Sequence, residues 1–273
     1  AALAAAATPL AALLLDPLPD RGSGLGLPVA IATLGVASYW VGQVAFGWPG
    51  LIVALVVVLG GSAFALSRGY EPERGPAMEA FVVFVVGFLL VVAIRAADAA
   101  ADPYAGEKML DFGLLATLYR APALPPEDMW FAGKPVQYYY GGHLLSAILT
   151  TITGTAPKYA YNLALAGFYA ALVSTAFGLA GSIAASRGSS YRTGGLFGAF
   201  LVGIASNLVT PLQVLLMPVP GAVADFAAKR FATLPEGGGG YGLAPESLLN
   251  GFDGYWTPSR VIPGTINEFP LFA

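Results

Sequence analysis

Six apolar stretches, at 1–15, 27–46, 50–67, 77–96, 159–185 and 193–213, alternate with polar links along the chain. Over a window of about 19 residues, the last five carry enough hydropathy to cross a bilayer as helices. At least five complete spans are therefore expected, with 1–15 read as a truncated further one. A soluble helix keeps one polar side, and these runs lack it. The links 16–26, 47–49, 68–76 and 186–192 are short, whereas 97–158 and 214–273 hold almost everything else that is polar. Four regions follow: N-terminal membrane helices (1–96), a first long loop (97–158), a helix pair (159–213) and a second long loop (214–273).

Orientation comes from basic residues, which favour the cytoplasmic side when they lie in short loops. Arg21, Arg68, Arg74, Arg187 and Arg192 all sit in short links. With those links inside, both long loops lie outside, provided that the apolar run from His143 to Ile152 does not cross. That run has about ten residues where a span needs about twenty. It is expected to form an interfacial or re-entrant helix. The fold class is thus all-α, a multispanning bundle whose extracytoplasmic loops carry interfacial helices, placed in the plasma membrane. Val223–Leu234 reads as a further surface helix and Gly237–Gly240 as a flexible tip. Gly167, Gly178, Gly181, Gly195, Gly198 and Gly203 fall in spans, where small residues let helices approach closely.

Composition agrees. Hydrophobic residues make up 56% of the 273 and charged residues 11%, against roughly 25% charged in an ordinary soluble domain. A net charge of -3 gives no basic footprint, so nucleic acid is excluded as a partner. Without cysteine there is neither disulfide nor thiolate ligand, and a metal would have to sit on oxygen or the single histidine, His143. The chain starts at Ala1 inside an apolar stretch with no basic segment before it. It reads as part of a longer protein rather than as one opening on a signal peptide.

Candidate chemistry concentrates in 106–154. Glu107 and Asp111, four apart among Met109, Leu110, Phe112, Leu114, Leu115 and Leu118, would share one face of an interfacial helix. Two carboxylates so spaced suit a hard divalent cation, Mg2+ or Mn2+, with phosphate oxygens, or divide into a base and an ion-pair partner. The plain alternative is a pair of acids complementing a helix N-terminus. Pro125 and Pro126 followed by Glu127, Asp128, Met129 and Trp130 make a turn-rich segment built to fold over something. Tyr138, Tyr139 and Tyr140 are expected to open a second short helix, with Tyr139 and Tyr140 on the face of His143. Such tyrosines also serve as ordinary interface anchors. His143 near neutral pH suits a proton carrier or a phosphate ligand, or a plain hydrogen bond to a backbone carbonyl.

The second loop ends with Asp253, Tyr255 and Trp256, an acid beside aromatic faces that suit sugar rings. Arg260 is placed to clamp a phosphate, and Asn267 and Glu268 return towards the membrane surface. A solvated loop with an interface tryptophan is the plain alternative.

The segments GEKMLDFGLL, PPEDMWFAGKPVQYYYGGH and SRVIPGTINEFPLF resemble the archaeal and Chloroflexi multispanning membrane family named for its YYY motif, over roughly 77–273. Members continue past the E-F-P motif into an acidic, histidine-rich segment that this chain does not reach, so the resemblance too implies a longer protein. More loosely, that family resembles the GT-C glycosyltransferases, whose first long outer loop begins with acidic residues, runs along the membrane as short helices and returns as the next span. Glu107 and Asp111 fall at the place of those acids, although the usual adjacent Asp-Glu pair is absent.

The resemblance implies a transferase using a polyprenyl-phosphate sugar and a glycan acceptor on the outer face. Asp111 would be base or metal ligand, Glu107 would assist, and Glu268 would join from the second loop. His143 and Arg260 would hold the donor phosphate, Trp130, Tyr138, Tyr139, Tyr140 and Trp256 would shape the sugar pocket, and Asn267 would be a further substrate-binding residue. The other readings are a transporter or flippase of a lipid-linked or anionic solute and a non-catalytic scaffold. Transport paths place ionisable groups near the midplane, and the stretches 159–185 and 193–213 hold no charge.

Overall fold

The computed structural model describes residues 2–97 and 108–204. The chain divides into two compact units, Ala1–Gly203 and Ile204–Ala273, and the second lies outside the described residues beyond its first residue. Every regular element described is a helix: α1 (Ala2–Leu14), α2 (Gly26–Gly42), α3 (Trp48–Ser67), α4 (Arg74–Ala97), α5 (Lys108–Arg120), α6 (Gly141–Thr153), α7 (Pro157–Ser186) and α8 (Tyr191–Gly203). A single 3-10 turn at Ser23–Leu25 leads into α2. Among the described residues, Ser23–Gly42, Trp48–Ser67, Arg74–Ala96 and Pro157–Ser186 are long and apolar enough to cross a membrane. The 20 residues of α3 extend about 30 Å, the thickness of the hydrocarbon core.

The apolar runs locate these helices, and local chemistry sets their ends. The expected span 27–46 stops at Gly42 because Val44, Ala45 and Phe46, although apolar, leave the helix, and the Phe46 N–H donates to the Pro122 carbonyl (2.8 Å). Pro157 opens α7 at a position where its missing N–H costs nothing. α3 and α7 end alike, on Ser-Arg-Gly. Gly69 (φ 81°) and Gly188 (φ 74°) adopt the left-handed turn, and the following N–H groups of Tyr70 and Ser189 reach back to the carbonyls of Ala65 (3.0 Å) and Ala184 (2.9 Å). These bonds satisfy carbonyls that a helix end leaves open.

The arginine-bearing links gather at one end of the bundle. Glu73 N–H donates to Ser23 Oγ (2.8 Å), and Arg192 lies 3.9 Å from Glu79. Asp20, 2% exposed, accepts from the N–H groups of Gly22 (3.1 Å) and Gly24 (3.0 Å) and from the hydroxyls of Ser182 and Tyr191 (3.2 Å to the latter). One carboxylate therefore joins the link after α1 to α7 and α8. At the opposite end, Leu124 N–H donates to the Gly42 carbonyl (2.7 Å), pinning the loop after α5 to the end of α2.

Outward faces are apolar: Val53, Val56, Phe64, Val82, Val86, Leu90 and Ile94 are all exposed, a surface suited to lipid chains. Inward, small residues set the helix spacing. A Cβ on Gly178 would come within 2.7 Å of the Gly24 carbonyl oxygen, whereas one on Gly167 would meet nothing within 4 Å. Gly178→Ala is therefore expected to destabilise the bundle by about 1–3 kcal/mol, because backbone cannot yield as a side chain does. Gly167→Ala should leave the thermal midpoint in detergent unchanged, and equal midpoints for the two variants would contradict this packing.

Candidate functional site

α5 buries Leu114, Leu115 and Leu118, and α6 buries Leu144, Ala147 and Ile148. Both stripes recur at three and four residues, so each short helix has one inward face. These faces join a core with Leu34 of α2, Leu51 and Ala54 of α3, and Ala160 and Tyr161 of α7. Neither helix is long enough to span, since thirteen residues cover about 20 Å. α4 leaves and α7 returns at the end opposite the arginine links, and α5 and α6 form a cap between them. The short run after the tyrosines is a helix, α6, too short to cross.

Asp111 and His143 lie at the rim of these inward faces, each near the start of its helix. Packing α5 against α6 brings His143 Nε2 within 3.1 Å of Asp111 Oδ1, across 32 residues of sequence. The side chains are 19% and 35% exposed respectively, so the pair is shielded by the cap yet open to one side. An imidazole whose Nε2–H donates to a carboxylate keeps Nδ1 for a proton or a ligand. Phe112 meets the Tyr161 ring edge-on, with centroids 6.3 Å apart. Beside Tyr161, Asn162 Oδ1 accepts from Arg95 Nε at 2.8 Å.

The proline-rich segment does fold over something, and that is α5. The Met129 side chain lies directly on Gly113. Pro126 is fully buried, and Asp128 N–H donates to the Lys134 carbonyl (2.8 Å) while Val136 N–H donates to that of Pro126 (2.9 Å). At the tip, Asp128 Oδ1 accepts from the N–H groups of Trp130 (2.8 Å) and Phe131 (3.1 Å), and Glu127 Oε1 from that of Gly133 (2.6 Å). These acids are spent on the turn, and the Trp130 and Phe131 side chains project outward.

The tyrosines depart from expectation. They do not open the helix: α6 begins at Gly141, with Tyr140 as the residue before its first turn. Tyr138 and Tyr139 stack on each other at 4.1 Å with their hydroxyls hydrogen-bonded (2.7 Å), and Tyr139 is exposed. Tyr140 instead packs against the core, where burial first and Tyr39 second raise its hydroxyl pKa, so it stays protonated. A shared helical face with His143 is thus lost, because Gly141 and Gly142 intervene as the first helical residues. Glu107, Trp256, Arg260, Asn267 and Glu268 lie outside the described residues. Among the described residues no three metal-ligating carboxylate or imidazole groups converge.

Two polar groups at this end went unremarked as site residues in the sequence, Arg95 and Asn162. The available signal was that Arg95 ends a long apolar run and belongs to none of the arginine links.

The helices and their cap define a multispanning helical membrane protein. The chain belongs to the family described as uncharacterized membrane protein (DUF2298), whose sequence profile matches residues 33–273. The match reaches upstream of the motif blocks to take in the later part of α2 and the whole of α3. No curated protein and no solved structure gives a significant match.

Proposed function

We propose that this protein is a membrane-embedded glycosyltransferase that takes sugar from a polyprenyl-phosphate donor at the outer face of the plasma membrane. The observation that carries the reading is the Asp111–His143 pair, held by two short helices between spans at the end away from the arginine links. Transfer from such a donor needs a base for the acceptor hydroxyl. The acceptor oxygen attacks the anomeric carbon, the carbon–oxygen bond to phosphate breaks, and the hydroxyl proton passes to the Asp111–His143 pair. The lipid phosphate leaves as an anion that positive or hydrogen-bonding groups must stabilise.

Glu107, Glu268, Arg260 and Asn267, outside the described residues, keep the roles that the resemblance implies for them, further acids in the first two and substrate binding in the others. A Mg2+ or Mn2+ ion on Asp111 would require more oxygens than the described residues bring together. Trp130 and Tyr139, exposed on the cap, offer aromatic faces to sugar rings, as does Trp256 from the second loop.

Deleting the full-length gene in its native cell is expected to remove a defined saccharide mass from surface glycans, with restoration by the wild-type copy. Identical glycan mass profiles with and without the gene would overturn the reading.

A further inference from the structure

Arg95 stands in the last turn of α4, at the end away from the arginine links. Its Nε is taken by Asn162 (2.8 Å), so α7 fixes the plane of the guanidinium. Its Nη2 is shut off from solvent and, among the described residues, has no hydrogen-bond partner. The ion pairs among the described residues join Arg21 to Asp16, His143 to Asp111 and Arg192 to Glu79, and none involves Arg95. A guanidinium never loses its charge in a protein, and a buried donor without an acceptor is costly. Such a group calls for a partner that the described residues do not supply, and an anion is one that matches its charge.

The surroundings say where that anion would sit. Arg95 is tied to Asn162, the residue after the buried Tyr161, and the Tyr161 ring meets that of Phe112, the residue after Asp111, with centroids 6.3 Å apart. The fixed cation and the acid–imidazole pair are thus linked through one short stretch of α7. Guanidinium nitrogens match phosphate oxygens in geometry and charge, and a fork already oriented by Asn162 loses less freedom on binding.

We propose that Arg95 is an anion anchor of the Asp111–His143 centre, its Nη2 side receiving a phosphate oxygen of a lipid-linked substrate. The lipid identity rests on the transferase reading; the anion site does not. In this arrangement the isoprenoid chain lies along the apolar outer part of α4, and the phosphate sits at the level of the cap.

The test uses the full-length protein in nanodiscs, with farnesyl phosphate, farnesol and inorganic phosphate as probes in a binding titration. Farnesyl phosphate is expected to bind at least tenfold more tightly than farnesol. Arg95→Gln should abolish that preference without changing farnesol affinity, and Arg95→Lys, which keeps the charge but not the fork, should fall between. Equal wild-type affinity for farnesyl phosphate and farnesol would overturn the anchor, and that comparison needs no variant to fold. Inorganic phosphate binding as tightly as farnesyl phosphate would assign the site to a soluble anion and overturn the lipid substrate. Preserved preference alongside unaltered glycans in the deletion strain would remove the transferase reading and leave the anchor. The converse pattern would remove the anchor alone.

Discussion

Asp111→Asn in the full-length protein is expected to lower saccharide transfer at least about 100-fold, the contribution typical of a positioned acid–base group. The substitution keeps the shape of the side chain, so α5 should still pack on α6 through Leu114, Leu115 and Leu118. What changes is the acceptor for His143 Nε2, now 3.1 Å from a carboxylate oxygen. An amide neither takes a proton nor stabilises an imidazolium. The pair is partly exposed, so its loss should move the thermal midpoint little, which separates a chemical role from a structural one. His143→Gln should reduce transfer as well, and the double variant should be no worse than the poorer single one if the two act as a unit. The readout is the mass of surface glycans together with the rate of transfer in isolated membranes. Glycans unchanged in Asp111→Asn would refute the assignment.

The largest loss of stability is expected from Asp20→Ala. This carboxylate is almost wholly buried and accepts from two backbone N–H groups and two hydroxyls. Each bond to a charged acceptor contributes about 1.5–3 kcal/mol, and removing the acceptor strands its donors in a place water does not reach. These contributions do not add in full, and a loss of about 3–5 kcal/mol, as when one member of a buried charged network is removed, is expected, which for a bundle of this size is a fall on the order of 10 °C in thermal midpoint. Asp20→Asn should fall less far, because its carbonyl oxygen retains some of the bonds while its amide hydrogens face the remaining donors. A midpoint within 2 °C of wild type for Asp20→Ala, on the same order-of-magnitude conversion, would show that the network contributes little. Transfer activity need not follow, since Asp20 lies at the arginine end and Asp111 at the other.

The two acids show what sequence makes legible and what it hides. The spans could be read because membrane helices must bury their backbone polarity and present apolar side chains to lipid, which leaves long uninterrupted runs. The cap helices could be read from the opposite cue, apolar runs too short to cross. Asp111 attracted attention as an acid at helical spacing, but its partner could not be deduced, because only packing brings residues 32 apart in sequence within hydrogen-bond reach. Asp20 sits in a link with Pro17, Pro19 and Arg21 and has every mark of a solvated loop residue. Nothing local announces that Ser182 and Tyr191, some 160–170 positions later, will close over it. The tyrosines failed for a different reason. Helical spacing would continue back through Gly141 and Gly142 to the tyrosines, but glycine leaves the chain free to change conformation there, and α6 begins at Gly141.

The cap rests on an early helix: α6 packs on α2, and the base of the loop after α5 is tied to Gly42 and Phe46. Its partners there are made long before the cap itself emerges during synthesis. The acid–imidazole pair therefore comes into being only once the earlier α2–α3 hairpin receives a segment made about eighty residues later. Pairing of the acid with the imidazole is thereby coupled to completed assembly, and a chain ended before α6 would carry the carboxylate with no partner to orient it.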